Sequence, residues 1–134
     1  MNPMDQLTLT GLRARAFHGV LEEERRVGQV FLIDVVAHLP LAEASASDDL
    51  DDTVHYGVLA EEVVAAVESE PVDLIETVAE RVAAVVLAHR RVVFTTVTVH
   101  KPSAPITVPF ADVSVTIHRG RSDRAQPAGF SAAP

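Results

Sequence analysis

The stretch "QVFLIDVVAHL", from Gln29 to Leu39, decides the fold class of this chain. It is rich in β-branched residues and has the length of one strand, so it indicates a β-strand. The preceding "LTLTGLRARAFHG", residues 7–19, alternates apolar and polar side chains, which is the period of a half-buried strand. Between them lies the polar "EEERRVG", which we predict to be a turn. The two strands are therefore expected to form an antiparallel hairpin with a long connection.

Two amphipathic helices are predicted after this hairpin. The segment "YGVLAEEVVAAVES", residues 56–69, has a helical apolar period, and the acidic "ASASDDLDDT" before it is predicted to be a loop. A second helix is expected in "DLIETVAERVAAVVLAH", where Asp73 and Glu76 have the spacing of a capping box. The apolar stripes consist of Leu59, Val63 and Ala66 or Val67 in the first helix, and of Ile75, Val78, Val82, Val85 and Val86 in the second.

Two more alternating segments, "VVFTTVTVH" and "ADVSVTIHR", predict a second pair of strands. Two strands, two helices and two strands indicate an α+β fold with a four-stranded antiparallel sheet. We assign residues 1–120 to a single domain and predict that residues 121–134, rich in Pro, Ala and Ser, are a disordered tail. Because the two edges of such a sheet must be covered or paired, oligomerisation by edge pairing is a hypothesis.

The composition excludes several classes of protein. With 134 residues and 48% apolar content the chain fits one domain, and its net charge of -8 argues against nucleic acid as a partner. The absence of cysteine excludes disulfides and thiolate metal sites. The N-terminus has no secretion-signal pattern, and the longest apolar run, residues 82–88, is too short for a membrane span. We expect a cytoplasmic protein.

The sequence predicts neither a metal site nor an organic cofactor. Its six histidines, at positions 18, 38, 55, 89, 100 and 118, do not have the spacing of metal ligands. Glycine-rich nucleotide motifs, a phosphate-loop lysine and a G-x-S-x-G nucleophile are also missing from the sequence.

Lys101 and Tyr56 are candidate acid–base groups. Lys101, the only lysine beside ten arginines, lies in "VTVHKPSAPI" at the end of an apolar strand. It is either a solvated lysine or a group that gains or loses a proton, since burial lowers the pKa of lysine whereas arginine keeps its charge. Tyr56, the only tyrosine, either packs at the start of a helix or donates a proton.

Two glutamates are ambiguous from local sequence. Glu76 is either the partner of Asp73 in the capping box or a carboxylate that stays ionised near a helix N-terminus. In the second case it could accept two parallel hydrogen bonds from an amidine-like pair of N–H groups. Glu24 belongs to "LEEERR", where nothing local distinguishes it from Glu22 and Glu23.

Four segments resemble a known family. "HGVLEEERRVGQVFLIDV", "SDDLDDTVHYGVLAE", "LIETVAERVA" and "VHKPSAPI…FADVSVTI" occur in the order typical of the bacterial dihydroneopterin aldolases of folate biosynthesis. The resemblance covers about residues 5–120. It implies the tunnelling fold, a four-stranded antiparallel sheet with two helices on one face. It also implies rings, as a homo-tetramer or a stacked homo-octamer, with active sites between subunits.

The resemblance further implies a function for each motif. The family cleaves 7,8-dihydroneopterin without a metal or a cofactor, often with an epimerase side activity. Lys101 corresponds to the catalytic lysine, Tyr56 to a proton donor, and Glu24 to the glutamate that orients the lysine. Substrate contacts are implied for Glu76, which anchors the pterin, and for Leu74, Ile75, Val54 and His55.

Two alternatives remain open at this point. A dihydroneopterin triphosphate epimerase would share the pocket but would need cations for three phosphates. A ring-forming pterin-binding protein without activity could keep Glu76 and dispense with Lys101 and Tyr56. Zinc-dependent relatives of this fold have a histidine cluster that this sequence lacks.

Overall fold

The fold is a four-stranded antiparallel sheet covered on one face by two helices. The structure, a computed structural model, describes residues 4–121. The sheet has the order β1-β2-β3-β4, and all three neighbouring pairs are antiparallel. The strands are β1 (Gln6–Ala16), β2 (Gln29–His38), β3 (Phe94–His100) and β4 (Ser114–Gly120). The α+β fold class predicted from the sequence is therefore confirmed.

The two long helices begin and end close to where the sequence predicts. They are α3 (Tyr56–Val67) and α4 (Ile75–Leu87), of which α3 packs on β1, and α4 packs on β3 and β4. The predicted stripes are largely buried, with Val85 only half-buried. On β2 every second residue faces these helices, so Phe31, Ile33, Val35 and Ala37 belong to the core, together with the helix stripes and buried residues of β1 and β3. Burying each large aliphatic side chain contributes about 1.5–3 kcal/mol.

The short polar segments contain helices that were not predicted. The supposed turn is the six-residue helix α1 (Glu22–Val27), which has three glutamates in its first turn and Arg25 and Arg26 in its last. This charge order complements the helix dipole. The supposed acidic loop contains α2 (Ala42–Ser47) and a 3₁₀ turn, Leu50–Asp52. The Asp49 side chain caps this turn by accepting the N–H of Asp51.

The capping-box prediction for α4 is wrong. The N-cap residue is Leu74, and no side chain caps the helix. Asp73 instead forms an ion pair with Arg25 of α1, a tertiary partner that local sequence does not reveal.

A bulge in β1 places one polar side chain of β2. Leu9 pairs with Val35 and Leu12 pairs with Ile33, so two residues of β1 lie opposite Asp34. One of them, Gly11, has a φ of 71° and donates its N–H to Asp34 Oδ1 at 2.8 Å. Asp34 points to the sheet face that the helices leave uncovered.

His18 joins the end of β1 to the connection between α3 and α4. Its ring is fully buried; Nε2 donates to the Val67 carbonyl at 2.6 Å, and Nδ1 accepts the Val72 N–H at 3.0 Å. The ring is therefore neutral. Burial lowers the pKa of His18, opposed in part by the bond to Val67 and reinforced by the positive charges of Arg81, Arg25 and Lys101.

Residues 122–134 lie outside the described residues, so the disordered tail stays a prediction. No helix within residues 4–121 is long and apolar enough to cross a membrane.

His18→Gln is expected to lower the free energy of unfolding by about 1–3 kcal/mol at neutral pH, because buried hydrogen bonds are weakened. The deficit should shrink below about pH 6.5, since the unfolded wild-type chain then binds a proton that folded His18 resists. Urea unfolding followed by circular dichroism at about pH 7.5 and about pH 5.5 measures both effects. An equal deficit at the two pH values would contradict the neutral buried ring.

Candidate active site

A cavity of about 430 Å³ opens between α1, the start of α4 and the connection from β3 to β4. Its walls combine apolar side chains with a few charged groups. The lining residues are Val20, Leu21, Glu24, Asp73, Leu74, Ile75, Glu76, Lys101, Ala104, Pro105, Ile106 and Val113. A mostly apolar cavity with a few convergent polar groups is typical of a small-molecule site.

An ion pair between Lys101 and Glu24 lies in the wall of this cavity. Lys101 Nζ is 2.7 Å from Glu24 Oε2, and the two side chains are 12% and 7% exposed. Lys101 directly follows β3, and Glu24 is the buried residue of α1. The structure thus singles out Glu24 from its two neighbouring glutamates, and Lys101 is mostly buried.

Glu24 is held by further hydrogen bonds. Its Oε1 accepts the Leu21 N–H at 3.2 Å, and its Oε2 accepts the side-chain amide of Gln29 at 3.1 Å. Burial alone would raise the pKa of Glu24, but the hydrogen bonds from Lys101, Leu21 and Gln29 and the charge of Lys101 lower it overall. The carboxylate is therefore ionised at neutral pH.

Gln29 is a site residue without an assigned role in the sequence analysis. Its Nε2 supports Glu24, while its Oε1 is buried and has no partner among the described residues. Its only sequence signal is the position after Gly28, five residues beyond Glu24. Gln29 is not among the lining residues and acts on the cavity through its hydrogen bond to Glu24.

Gly19 leaves the space that the Glu24 carboxylate occupies. Its φ is 151°, and a Cβ added there would lie 2.2 Å from Glu24 Oε1. The backbone at this point is fixed, since the Gly19 N–H bonds to the Val72 carbonyl at 2.9 Å and its carbonyl accepts Arg25 Nε at 2.9 Å. Glycine is therefore required here by the ion pair itself.

The start of α4 forms the opposite part of the wall. Leu74 is half exposed, Ile75 is buried, and Glu76 lies exposed in the first turn of the helix. Among residues 4–121 the Glu76 side chain has no hydrogen-bond partner. The first N–H groups of a helix favour a negative charge nearby, and this side chain is available to a ligand.

Three predicted site residues do not line this cavity. Tyr56, the first residue of α3, is 64% exposed. His55 is the N-cap of α3, and its Nδ1 accepts the Val58 N–H at 3.3 Å. Val54 is buried in the core. A single chain therefore brings together Lys101, Glu24, Glu76, Leu74 and Ile75, but not Tyr56, His55 or Val54.

Within the described part of the chain, no three His, Asp or Glu side chains are grouped so that they could hold a metal ion.

Gly19→Ala is expected to displace Glu24 and to lower the free energy of unfolding by about 1–3 kcal/mol. Because Lys101 is the only lysine, its modification by an acylating reagent can be followed by mass spectrometry of the digested protein. The ion-paired ammonium should react slowly in the wild type and about tenfold faster in the variant, where the pair is disrupted.

Gly120→Ala is the matched control, since a Cβ there would meet Phe94 at an ordinary 3.4 Å. Equal labelling rates for wild type and Gly19→Ala would contradict the role of Gly19.

Known proteins are similar to this chain in both sequence and fold. The model of the dihydroneopterin aldolase family matches residues 7–118. A dihydroneopterin aldolase of Streptomyces coelicolor is 59% identical over 118 residues, covering 88% of this chain and 99% of that protein. The structure of the Escherichia coli dihydroneopterin aldolase in complex with neopterin superposes with a TM-score of 0.80 at 32% identity, covering 87% of this chain and 100% of that one.

A dihydroneopterin aldolase from Burkholderia bound to guanine superposes with a TM-score of 0.72 at 26% identity, covering 88% of this chain and 92% of that one. Fold, sequence and motif order agree over nearly the whole described chain. The chain therefore belongs to the dihydroneopterin aldolase family of enzymes.

Proposed function

We propose that this enzyme cleaves 7,8-dihydroneopterin into 6-hydroxymethyl-7,8-dihydropterin and glycolaldehyde. The observation that carries the proposal is the nearly buried Lys101–Glu24 pair in a cavity whose opposite wall presents the unpaired Glu76. Glu76 can bind a heterocycle at one side of this cavity, and the Lys101–Glu24 pair can transfer a proton at the other. The cytoplasmic location expected from the sequence stays a prediction.

Glu76 is the proposed anchor of the pterin ring. An ionised carboxylate accepts two parallel hydrogen bonds from the 2-amino group and N3–H of a pterin. Backbone groups of Leu74 and Ile75 lie beside it at the start of α4. The ligands of the two related structures, neopterin and guanine, both carry this amino–imino edge, which supports the assignment.

The bond to be broken is C1′–C2′ of the substrate side chain. Removing the proton of the C2′ hydroxyl turns C2′ into the aldehyde carbon of glycolaldehyde, and the bonding electrons move to C1′. There they conjugate with the N5=C6 imine of the ring, which forms an enamine. Protonation at C1′ then gives the hydroxymethyl product. The substrate accepts the electrons itself, so the protein must supply position and proton transfer.

Lys101 and Glu24 are the proposed groups for the first proton transfer. Lys101 first gives up its ammonium proton to solvent, and the resulting neutral amine then takes the proton of the C2′ hydroxyl through a bound water. Glu24 holds the amine at 2.7 Å and orients the hydroxyl groups of the side chain. Arginine at this position would bind the same carboxylate but could not give up its proton.

Tyr56 is the proposed donor of the proton to C1′, and we place it in the cavity of another copy. It is exposed at the start of α3, outside the cavity of its own chain. In a ring formed by pairing of the β1 and β4 edges, each site would combine Lys101 of one subunit with Tyr56, His55 and Val54 of the next.

Re-addition of the enamine carbon C1′ to the opposite face of the glycolaldehyde carbonyl would give the C2′ epimer, so we propose epimerisation as a side activity of the same site. A triphosphate substrate is disfavoured by charge. Lys101 is the only cation among the described lining residues, against the carboxylates Glu24, Asp73 and Glu76.

Purified protein incubated with 7,8-dihydroneopterin and a chelator should release glycolaldehyde and 6-hydroxymethyl-7,8-dihydropterin in equal amounts. Lys101→Arg is expected to fold normally and to lower kcat by about 10²–10⁴-fold, because the general base is lost. Arg90→Lys, the reverse exchange at an exposed site, serves as the control. Near-normal kcat in Lys101→Arg would contradict the assignment, and epimer alone would assign the enzyme to epimerisation.

Mixing two inactive variants tests the shared site. Lys101→Arg and Tyr56→Phe should each lose most activity, and refolding them together in equal amounts should recover about one quarter of wild-type kcat, because about that share of sites combines two intact halves. Each variant refolded alone provides the baseline. A mixture no more active than the mean of the two variants would place Lys101 and Tyr56 in the same subunit's site.

A further inference from the structure

Three side chains meet on the sheet face that the helices leave uncovered, and one of them belongs to His100, the residue before Lys101. We call Asp34 of β2, His100 at the end of β3 and Asp112 the carboxylate clamp. His100 Nε2 lies 2.7 Å from Asp34 Oδ2, and His100 Nδ1 lies 2.7 Å from Asp112 Oδ2. The three side chains are one quarter to about one third exposed. The clamp thus connects β2, the end of β3 and the final part of the β3–β4 connection.

The geometry requires a charged imidazole. An ionised carboxylate has only acceptor atoms, so each ring nitrogen beside one must carry a hydrogen. A neutral imidazole has one N–H and could satisfy only one of the two aspartates. In agreement, the hydrogen bonds to Asp112 and Asp34 raise the pKa of His100, against the opposing effect of burial. The pKa of Asp34 is lowered, because the bonds from His100 and Gly11 outweigh its own burial.

The clamp is rigid on one side and movable on the other. Asp34 is fixed by the β1 bulge, where the Gly11 N–H binds its second oxygen at 2.8 Å. Asp112 belongs to the irregular connection between β3 and β4, residues 101–113. Loss of the second ring proton would leave Nδ1 and Asp112 as two facing acceptors, so the connection would be released while Asp34 stayed in place.

The same connection contributes five of the twelve residues that line the cavity. Lys101 is its first residue, and the Lys101 N–H donates to the Val113 carbonyl at 2.8 Å, next to Asp112. Val113, Ile106 and Pro105 line the cavity. A shift of Asp112 therefore moves Val113, the backbone partner of Lys101, and with it the cavity wall. Displacements of about 1 Å at a reacting group can cost about 10²-fold in rate.

We propose that protonated His100 is a positioning residue: through Asp112 it holds the β3–β4 connection, and with it Lys101, in the geometry needed for turnover. For its effect on catalysis this inference rests on the proposed aldolase function. Above the pKa of His100 the connection loosens and kcat falls, while binding of the pterin at Glu76 changes less.

On this sheet face Arg13 of β1 lies opposite Leu32, and among the described residues the charged groups bonded to His100 are the two aspartates. Its register neighbours, Leu32 on β2 and Ser114 on β4, carry no charge, and β1 contributes the Gly11 N–H through Asp34. The Lys101 ammonium is engaged by Glu24. Because the folded pKa of His100 is raised above its unfolded value, the clamp adds stability below that unfolded value and loses it as pH rises through the folded pKa.

Asp112→Asn tests the inference, since an asparagine amide can donate to neutral His100 or accept from the charged ring. Two quantities are measured against pH: the His100 ring signals by nitrogen-detected NMR, and kcat and KM for 7,8-dihydroneopterin. In the wild type, kcat should fall about tenfold or more with the midpoint of His100, with a smaller change in KM. In Asp112→Asn the His100 midpoint should be lower, and kcat should no longer follow it.

Two further variants complete the design. Asp34→Asn removes the other carboxylate and should also lower the His100 midpoint. His118→Gln changes a histidine of the same sheet face that bonds to Thr96, and should leave midpoint and profile unchanged.

The inference would be overturned if wild-type kcat did not change with pH at the His100 midpoint. It would also be overturned if kcat of Asp112→Asn fell with pH as it does in the wild type. Backbone amide signals of residues 101–113 give a reading without substrate: they should follow the His100 midpoint in the wild type and not in Asp112→Asn. Absence of turnover with these shifts present would overturn the proposed reaction and leave the clamp supported. Normal turnover without these shifts would overturn the clamp and leave the proposed reaction supported.

Discussion

The nearly buried ion pair of Lys101 and Glu24 is the constraint to which the surrounding structure conforms. Two charges withdrawn from water cost several kcal/mol each unless they are paired and hydrogen-bonded, and removing one partner costs about 3–5 kcal/mol. Each neighbouring element meets part of this requirement. Helix α1 presents Glu24, Gly19 leaves room for its carboxylate, and Gln29 supplies a further donor. The proposed catalytic arrangement and the local stability therefore depend on the same contacts.

Much of the fold could be predicted from the sequence because it depends on periodicity. Alternation along β2 and the stripe of α4 are local patterns, and the structure buries the residues that they indicate. The misses have a common cause. Asp73 was expected to cap α4, yet it pairs with Arg25 of α1, and the buried position of Glu24 depends on Lys101. Such partners lie far apart in sequence, so no local spacing reveals them.

The candidate site was predicted unevenly for the same reason. Lys101 was distinguished by composition and Glu76 by its place at a helix start, and both lie on the cavity. Gln29 and the carboxylate clamp depend on strand register and on a bulge, which the sequence does not specify. Tyr56 does not line the cavity of its own chain, and the lining residues Val20 and Leu74 are exposed to solvent. Large apolar side chains around an incomplete site are consistent with cover by a second copy.

Two histidines near the ion pair need opposite protonation states, and each is connected to one partner of the pair. His18 must be neutral, because Nδ1 accepts a backbone N–H inside the core next to Gly19. His100 must be charged, because both ring nitrogens face carboxylates next to Lys101. Acid therefore disturbs the Glu24 side of the pair through Gly19, and alkali disturbs the Lys101 side through Asp112. Since the pKa of His18 is lowered and that of His100 is raised, the intact geometry extends over the pH interval between the two pKa values.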